Sequence, residues 1–443
     1  MKESLIAITL LWCWTFLFLS VVAPADGFAA VQKPRRGTKV TSPPPVHASE
    51  TNNSKNSSKS LAFELQKCAT PSQVLQNVAP YINPSVDPSG NVASLVLIRL
   101  AKQCISLDNN SKNDEQAAQQ WKSKIFEEKS ASDILKNVVN SLAVSALSDP
   151  KVVPMNEESL DAVVEGTKAL AILARLLPEF ISQSTYSSIL KKWSNVDEMA
   201  CSCLEEHQLS GLHWAYHCFQ HLAKNSSRNN SDSVIQLPDN LQKHYESLNL
   251  PFRIIPGSFE KELDFSVDNL RKQVAFQVDT IKTTSNQVVQ ERRQTAWQGD
   301  EGVAPFEYSG KAMPRMPWSP LVRSVRDGLV HITDEYYDGC LLNLYPDGGS
   351  AMRYHIDPDQ GTLWDYSTAV VSVGATRRVA FRDVPDKNGK SKNKPHNFVV
   401  MNGDVMEMVK DCQVRYQHAV KPADNKREQT ARSSLVFKRS LRR

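Results

Sequence analysis

Apolar residues change their spacing partway along this chain, and that change limits the fold more than any other feature. From about residue 61 to 223 they recur three and four apart, as in "SLVLIRLAKQCI", "DILKNVVNSLAVSAL" and "ALAILARLLPEFISQ". That is the period of amphipathic helices. From about residue 248 onward, short runs of Val, Ile, Phe and Tyr alternate with turn residues, the pattern of strands. The two periods occupy separate blocks, which predicts a multidomain chain: an α-helical, repeat-like N-terminal domain over 61–223 and an α+β domain over 248–443. The length of 443 residues agrees, being too great for one hydrophobic core. Between the blocks, "KNSSRNNSDSVIQLPDN" breaks all periodicity, so 224–247 reads as a linker. Within the second block, "FEKELDFSVDNLRKQVAF" and "WSPLVRSVRDGLVHIT" read as helices laid against the strands.

The N-terminus belongs to neither block. Residues 1–27 combine an early Lys2, a long apolar run and a small-x-small end at Ala25-Asp26-Gly27, the form of a secretory signal peptide. An uncleaved membrane anchor is the competing reading of the same run. Residues 28–60 are basic, rich in Ser, Thr and Pro, and too polar to build a core. A signal peptide followed by such a transit-like segment resembles the bipartite plastid presequences of algae with secondary plastids. The expected location is therefore a plastid, with no stable membrane association once the signal is cleaved. A secreted protein with a polar linker is the alternative, and Asn-x-Ser sequons at Asn52, Asn56, Asn109, Asn225 and Asn229 would suit it. The eight cysteines are scattered, and loss of Cys13 leaves an odd number, which favours reduced thiols. A net charge of +4 neither demands nor excludes a nucleic-acid partner.

Within the helical block, "TPSQVLQNVAPYI" from Thr70 and "SASDILKNVVNSL" from Ser130 share a pattern sixty residues apart, each followed by a second helical run. Two copies form at most a short helical repeat, which faintly resembles the RNA-binding helical arrays of organelles. Further on, Cys201, Cys203, His207, His213, His217, Cys218 and His221 crowd one segment. Their spacing matches no standard zinc pattern, and an apolar stripe of Leu212, Ala215, Tyr216, Phe219 and Leu222 runs beside them, so an amphipathic helix is the plainer reading.

The chemistry concentrates in "NLYPDGGSAMRYHIDPDQG", residues 343 to 361. Side chains two apart on a strand share a face, so His355 and Asp357 point together. His418, sixty-one residues after Asp357 on another β-like segment, offers a third ligand. Two His and one carboxylate on one face of a metal is the non-haem Fe(II) oxygenase arrangement, with positions left open for O2 and a chelating cosubstrate. An isolated His-x-Asp is more often a solvated strand end. Its company changes the balance: Arg432 follows His418 by fourteen residues in the alternating "ARSSLVFKRS" and suits the distal carboxylate of a keto-diacid. "FVVMNGDVMEMV" reads as a hairpin turning at Asn402-Gly403.

These blocks together resemble the AlkB family of Fe(II)/2-oxoglutarate dioxygenases. The likeness runs from about residue 250 to 439 through "RRQTAWQGDEG", "PFEYSG", "PWSPLV", "NLYPDGGSAMRYHID", "VSVGATRRVAFRD", "NGDVMEM", "QHAVKP" and "RSSLVFK". It implies a double-stranded β-helix (jelly roll) with Fe(II) on His355, Asp357 and His418. It also implies that Arg432, Asn343 and Tyr345 hold the cosubstrate 2-oxoglutarate. The implied activity is oxidative demethylation of N-methylated bases in DNA or RNA, with O2 consumed and succinate, carbon dioxide and formaldehyde released. Such a base must leave the stack or be single-stranded. Gln294 to Gly299 and the Tyr308 region resemble the nucleotide-recognition lid. Gln294, Trp297, Tyr308 and Tyr336 are the candidate substrate contacts, with core packing as the rival role for each aromatic.

One position departs from the family pattern. Six residues after Arg432 the family usually has a second arginine, and here it is Lys438. Alternation keeps Lys438 on the face of Arg432 and turns Arg439 away. Lysine keeps the charge and loses the planar fork, so weaker cosubstrate binding is expected. The four-lysine loop "DKNGKSKNKPHN" is expected to reach phosphates. Two other functions compete: the same oxygenase acting on a protein or lipid, and a non-catalytic RNA-binding protein. The helical fusion leans toward RNA.

Overall fold

The computed structural model describes residues 64–441 apart from 79–80, 82–90, 113, 127–128, 146–156, 182, 197–200, 227–234, 261–264, 283–286 and 309–310. The signal peptide expected at 1–27 and the transit-like segment at 28–60 lie outside the described residues, as does the middle of the expected linker. Among the described residues no helix is long and apolar enough to cross a membrane.

The N-terminal block is helical, as its periodicity requires: α1 Pro71–Val78, α2 Asn91–Ser111, α3 Glu115–Phe126, α4 Lys129–Ser145, α5 Glu157–Leu176, α6 Gln183–Trp193 and α7 Glu206–Ser226. The end of the expected linker is helical too, α8 Asp239–Ser247, with Leu241 buried. Val96, Leu97, Leu100 and Cys104 form the buried stripe of α2. Each large aliphatic residue so buried contributes about 1.5–3 kcal/mol relative to exposure. The two similar segments become α1 and α4, and the helices that follow them, α2 and α5, pack along each other. Gly166 permits close approach there, since a Cβ would lie 2.9 Å from Leu142 and 3.2 Å from Ser94 Oγ.

The β-rich block contains β1 Phe252–Ile255, β2 Gln277–Lys282, β3 Val288–Gly299, β4 Phe306–Tyr308, β5 Lys311–Met313, β6 Gly339–Tyr345, β7 Met352–His355, β8 Trp364–Gly374, β9 Arg377–Asp383, β10 His396–Val400, β11 Val405–Met408, β12 Tyr416–Val420 and β13 Arg432–Ser440. The helices within it are α9 Val267–Gln273, α10 Pro320–Thr333 and α11 Cys412–Arg415. A seven-stranded sheet runs β1-β11-β8-β13-β6-β3-β2, a four-stranded sheet β10-β9-β12-β7, and β4 with β5 makes a separate ribbon. The pairings between these strands are antiparallel. The two large sheets face each other: Phe252 of β1 stacks on Phe381 of β9 with ring centroids 4.0 Å apart. This is the jelly-roll architecture expected from the AlkB resemblance.

Strand pleat divides the larger sheet into two faces. Leu342, Leu344, Ala369, Val371, Leu435 and Phe437 point outward and pack under α9 and α10 through Leu270, Val322, Val325 and Leu329. Asn343, Tyr345, Ser372, Arg432 and Lys438 take the opposite parity and point between the sheets.

The hairpin expected across Asn402-Gly403 does not form. The turn is present, with Gly403 at φ +83, but β10 joins the smaller sheet and β11 the larger one. A Cβ at Gly403 would come within 2.5 Å of Glu260 N, so this crossing is tight. The next residue explains the divergence. Asp404 is fully buried and accepts from both ends of the Arg175 guanidinium (2.7 and 2.9 Å), Gly257 N (2.8 Å) and Met401 N (2.8 Å). A long-range charge pair therefore overrides the local hairpin signal, and it fastens α5 to the β-rich block.

The histidines of that segment lie on α7, and among the described residues they form no metal-binding group with Cys201, Cys203 or Cys218. His213 stacks on Tyr245 at 3.6 Å, His221 bonds Glu260 at 2.7 Å, and Cys218 is buried beside Arg175. The amphipathic-helix reading holds: Trp214 on α7 meets Phe398 of β10 edge to face.

Candidate metal centre

Among the described residues, one group of His, Cys, Asp and Glu side chains could hold a metal ion: His355, Asp357 and His418. One ligand atom from each lies within 4.8 Å of the others. The fold places them by pairing the end of β7 with β12, so that His355 and His418 stand directly opposite. Their rings are 4.2 Å apart. Asp357 Oδ1 faces both, 3.5 Å from His355 Nε2 and 3.6 Å from His418 Nε2.

Each ligand is held from behind. His355 Nδ1 donates to the Arg353 carbonyl at 2.9 Å, which leaves Nε2 turned toward the carboxylate. The Asp357 backbone N–H donates to Gln413 Oε1 at 3.0 Å. The other carboxylate oxygen, Oδ2, accepts from Lys438 Nζ at 2.7 Å. Burial opposes ionisation of Asp357, but Lys438 and the two histidines outweigh it and hold its carboxyl well below the usual range. Burial, with His355 beside it, pulls His418 down to about 3, so its imidazole is neutral near pH 7.

Arg432 occupies the same strand face as Lys438, six residues earlier. It is 1% exposed, and Nη2 donates to Ser372 Oγ at 3.0 Å. Its Nε and Nη1 have no partner. Orphaned N–H groups on a buried guanidinium cost free energy unless an acceptor meets them, and a carboxylate that takes Nη1 and the second Nη2 proton in an end-on fork has a matching geometry. Burial lowers its pKa to about 10, so the group stays charged. Tyr345 lies 5.5 Å under the Arg432 guanidinium, and Asn343 accepts from Arg293 Nη1 at 3.0 Å. These three residues share the site-facing parity expected of them.

The four expected substrate contacts separate. Tyr308 is linked to Asn343 through Arg293: its hydroxyl donates to Glu291 at 3.0 Å, and Arg293, which bonds Asn343, and Lys311 lie 5.0 and 4.5 Å from its ring centre. Trp297 requires a correction. It is 1% exposed, packed among Phe306, Met313, Leu341 and Trp364, with Nε1 donating to Ala304 O. No ring face remains for a base. Gln294 pairs in register with Leu344, so pleat turns it to the opposite face from Asn343. Tyr336 is 39% exposed, its hydroxyl donating to Asp300 and its ring lying 5.2 Å from Arg326, and none of these contacts belongs to the metal centre.

Sequence reasoning missed Arg293 and Gln413. Arg293 was findable, because it shares strand parity with Thr295, which pairs with Asn343. Gln413 carried no signal, since it reaches Asp357 from a different element, α11. The four-lysine loop is partly committed elsewhere: Asn393 donates to Glu206 and Lys394 bonds Glu205, both on or beside α7, while Lys387, Lys390 and Lys392 are exposed. A cavity of about 530 Å³ lies between the helical region and the smaller sheet, bordered by Lys102, Asn109, Glu165, Trp214, Arg377 and Phe398 and by none of the three ligand residues.

Residues 252–439 match the family described as the 2OG-Fe(II) oxygenase superfamily. An uncharacterized protein of Acanthamoeba polyphaga mimivirus is 33% identical over 138 residues, covering 31% of this chain and 68% of that protein. The DNA oxidative demethylase ALKBH2 of Mus musculus is 28% identical over 152 residues, covering 34% of this chain and 62% of that protein. The human alpha-ketoglutarate-dependent dioxygenase alkB homolog 3 is 26% identical over 190 residues, covering 42% of this chain and 64% of its own length. This chain thus spans less than two thirds of either of the two dioxygenases with stated activities.

Proposed function

The chain belongs, through residues 252–439, to the 2OG-Fe(II) oxygenase superfamily, and from that premise we propose that it demethylates N-methylated bases in DNA or RNA. The donor set fits the metal: two imidazoles and a carboxylate suit non-haem Fe(II). The observation that carries the cosubstrate reading is Arg432, a buried guanidinium with two unpartnered nitrogens on the strand face of Lys438. The distal carboxylate of 2-oxoglutarate would accept from Nη1 in an end-on fork with Nη2. Nucleic acid as the substrate class rests on the likeness to the mouse DNA oxidative demethylase ALKBH2.

When bound, iron and 2-oxoglutarate supply the oxidation, in which O2 is consumed and succinate, carbon dioxide and formaldehyde are formed. The protein's own groups orient and insulate that chemistry. His355 and His418 present Nε2, Asp357 presents Oδ1, and Lys438 keeps the carboxylate ionised and fixed in rotation. Arg432 anchors the far end of the cosubstrate, flanked by Tyr345 and Asn343. Tyr308, held by Glu291 and lying near Arg293 and Lys311, would contact the target base through its ring.

The test is turnover of 1-methyladenine and 3-methylcytosine in matched DNA and RNA oligonucleotides, with formaldehyde and succinate both measured and His355→Ala as control. Succinate formed without demethylation of any oligonucleotide would redirect the substrate to a protein or lipid. No succinate under any condition would sink the enzymatic reading and favour a binding protein.

A further inference from the structure

We propose that Asn109, a residue of the helical region, positions the strand segment that carries Arg432 and thereby sets the affinity for 2-oxoglutarate. The inference rests on the reading of Arg432 as the cosubstrate anchor.

Asn109 lies near the C-terminal end of α2 and is 1% exposed. Its polar atoms are all engaged with the β-rich block or the helix. Oδ1 accepts from Thr376 N at 2.7 Å, and Nδ2 donates to Thr376 O and to Glu428 Oε2, each at 3.3 Å. Its backbone carbonyl accepts from Thr430 Oγ1 at 3.0 Å. A side chain far upstream in sequence thus ties the turn between β8 and β9 to the loop that enters β13.

One of those segments adjoins the strand partner of Arg432, and the other leads directly into it. Arg432 pairs with Gly374, two residues before Thr376, and follows Thr430 by two residues. A second layer stiffens the clamp. Ser106 Oγ donates to Glu428 Oε1 at 2.8 Å, Arg377 Nη2 donates to Thr430 O at 3.1 Å, and Arg377 Nη1 lies 3.8 Å from Glu428 Oε2. The Glu428 carbonyl also accepts from Gly348 N at 2.7 Å, in the turn that joins β6 to β7. The same loop therefore touches the segment linking the Asn343–Tyr345 strand to the His355 strand.

A bidentate carboxylate contact tolerates only about 0.5 Å and 10–20° of misplacement. The Arg432 guanidinium makes one protein hydrogen bond, to Ser372, so its aim depends on where its backbone is held. Asn109, with Ser106 one turn before it, fastens that segment to a packed helix. The helical region then acts on the cosubstrate site, beyond any role as a separate binding module.

The experiment measures 2-oxoglutarate binding by calorimetry on the full chain loaded with redox-inert Mn(II). Asn109→Ala is expected to raise the 2-oxoglutarate Kd about tenfold. Mn(II) affinity without 2-oxoglutarate should stay within about twofold. Ser106→Ala, which removes only the Glu428 contact, should weaken 2-oxoglutarate by about threefold and serves if Asn109→Ala does not fold. Ser210→Ala breaks a helix-to-sheet bond distant in sequence from Arg432, Ser210 Oγ to His396 Nδ1 at 2.7 Å, and should leave the Kd unchanged. Unchanged 2-oxoglutarate binding in both clamp variants overturns the proposal. So does equal weakening by Ser210→Ala or a parallel loss of Mn(II), since either would indicate general loosening. Failure of the unmutated protein to bind 2-oxoglutarate would instead sink the reading of Arg432 itself.

Discussion

Lys438 Nζ lies 2.7 Å from Asp357 Oδ2, while the other oxygen of that carboxylate faces both histidines. The lysine that stands where relatives of the AlkB family usually carry arginine is therefore a direct partner of the metal carboxylate. Lys438→Met leaves Asp357 buried without its countercharge, and metal affinity should fall about 10- to 100-fold. Lys438→Arg should retain most of it. Mn(II) titration followed by calorimetry or by water-proton relaxation distinguishes the two, and an unchanged Kd in Lys438→Met would remove this role.

Arg432→Leu should abolish saturable 2-oxoglutarate binding, raising the Kd by about 100-fold or more, because the charge and both free N–H groups go together. Fe(II) or Mn(II) binding should survive. Loss of both at once would point to collapse of the β13 region instead.

Arg175→Ala should destabilise the protein by about 3–5 kcal/mol, since it strands Asp404 as a buried, unpaired carboxylate. Urea denaturation followed by far-UV circular dichroism gives the number. The double variant Arg175→Ala/Asp404→Asn should recover part of the loss, and absence of any recovery would argue that packing dominates.

Stability should fall on acidification from about pH 6.5. Burial lowers His213 and His396 from 6.5 to about 3 in the folded chain. Below 6.5 the unfolded chain takes up protons that the folded chain refuses, so each group removes about 1.4 kcal/mol per pH unit until the folded pKa is reached. Above 6.5 neither contributes a slope. His213→Phe, which keeps the stack on Tyr245, should flatten the decline between pH 7 and 5 in urea midpoints. An equally steep decline would assign it to other groups.

Trp297 and Tyr308 should separate stability from substrate binding. Trp297→Ala opens a cavity in a closed aromatic cluster and should cost about 3–5 kcal/mol in unfolding free energy. Tyr308→Ala should change thermal stability little and raise the KM for a methylated oligonucleotide several-fold. Equal oligonucleotide KM in Tyr308→Ala and the unmutated protein would take Tyr308 out of the substrate site.

Asn109 also bears on the sequons. One of them sits at this buried, fully bonded asparagine, so the folded protein does not present it for glycosylation.

Much of the metal centre was legible because its residues depend on local geometry. The pleat of a strand has a period of two whatever surrounds it, so the shared face of Arg432 and Lys438, and the turning away of Arg439 toward Glu335 and Asp365, follow from counting. The helical and β-rich blocks were legible for the same reason, since hydrophobic period reports the element directly. Parity could also have placed Arg293 inside and Gln294 outside, had it been applied to β3.

Other features depend on groups remote in sequence. Trp297 and Tyr308 both lie in lid-like blocks, yet one is sealed by Trp364 and Phe306 and the other is not. Asn402-Gly403 carries a hairpin signal, but the buried Arg175–Asp404 pair sends β10 and β11 into different sheets. The sequence by itself determined the elements, their faces and the residues able to bind iron, because covalent geometry and local periodicity act over a few residues. Tertiary structure decided burial, sheet assignment and the seating of Asn109 beside the Arg432 strand, because desolvation and hydrogen-bond pairing depend on segments brought together only by folding.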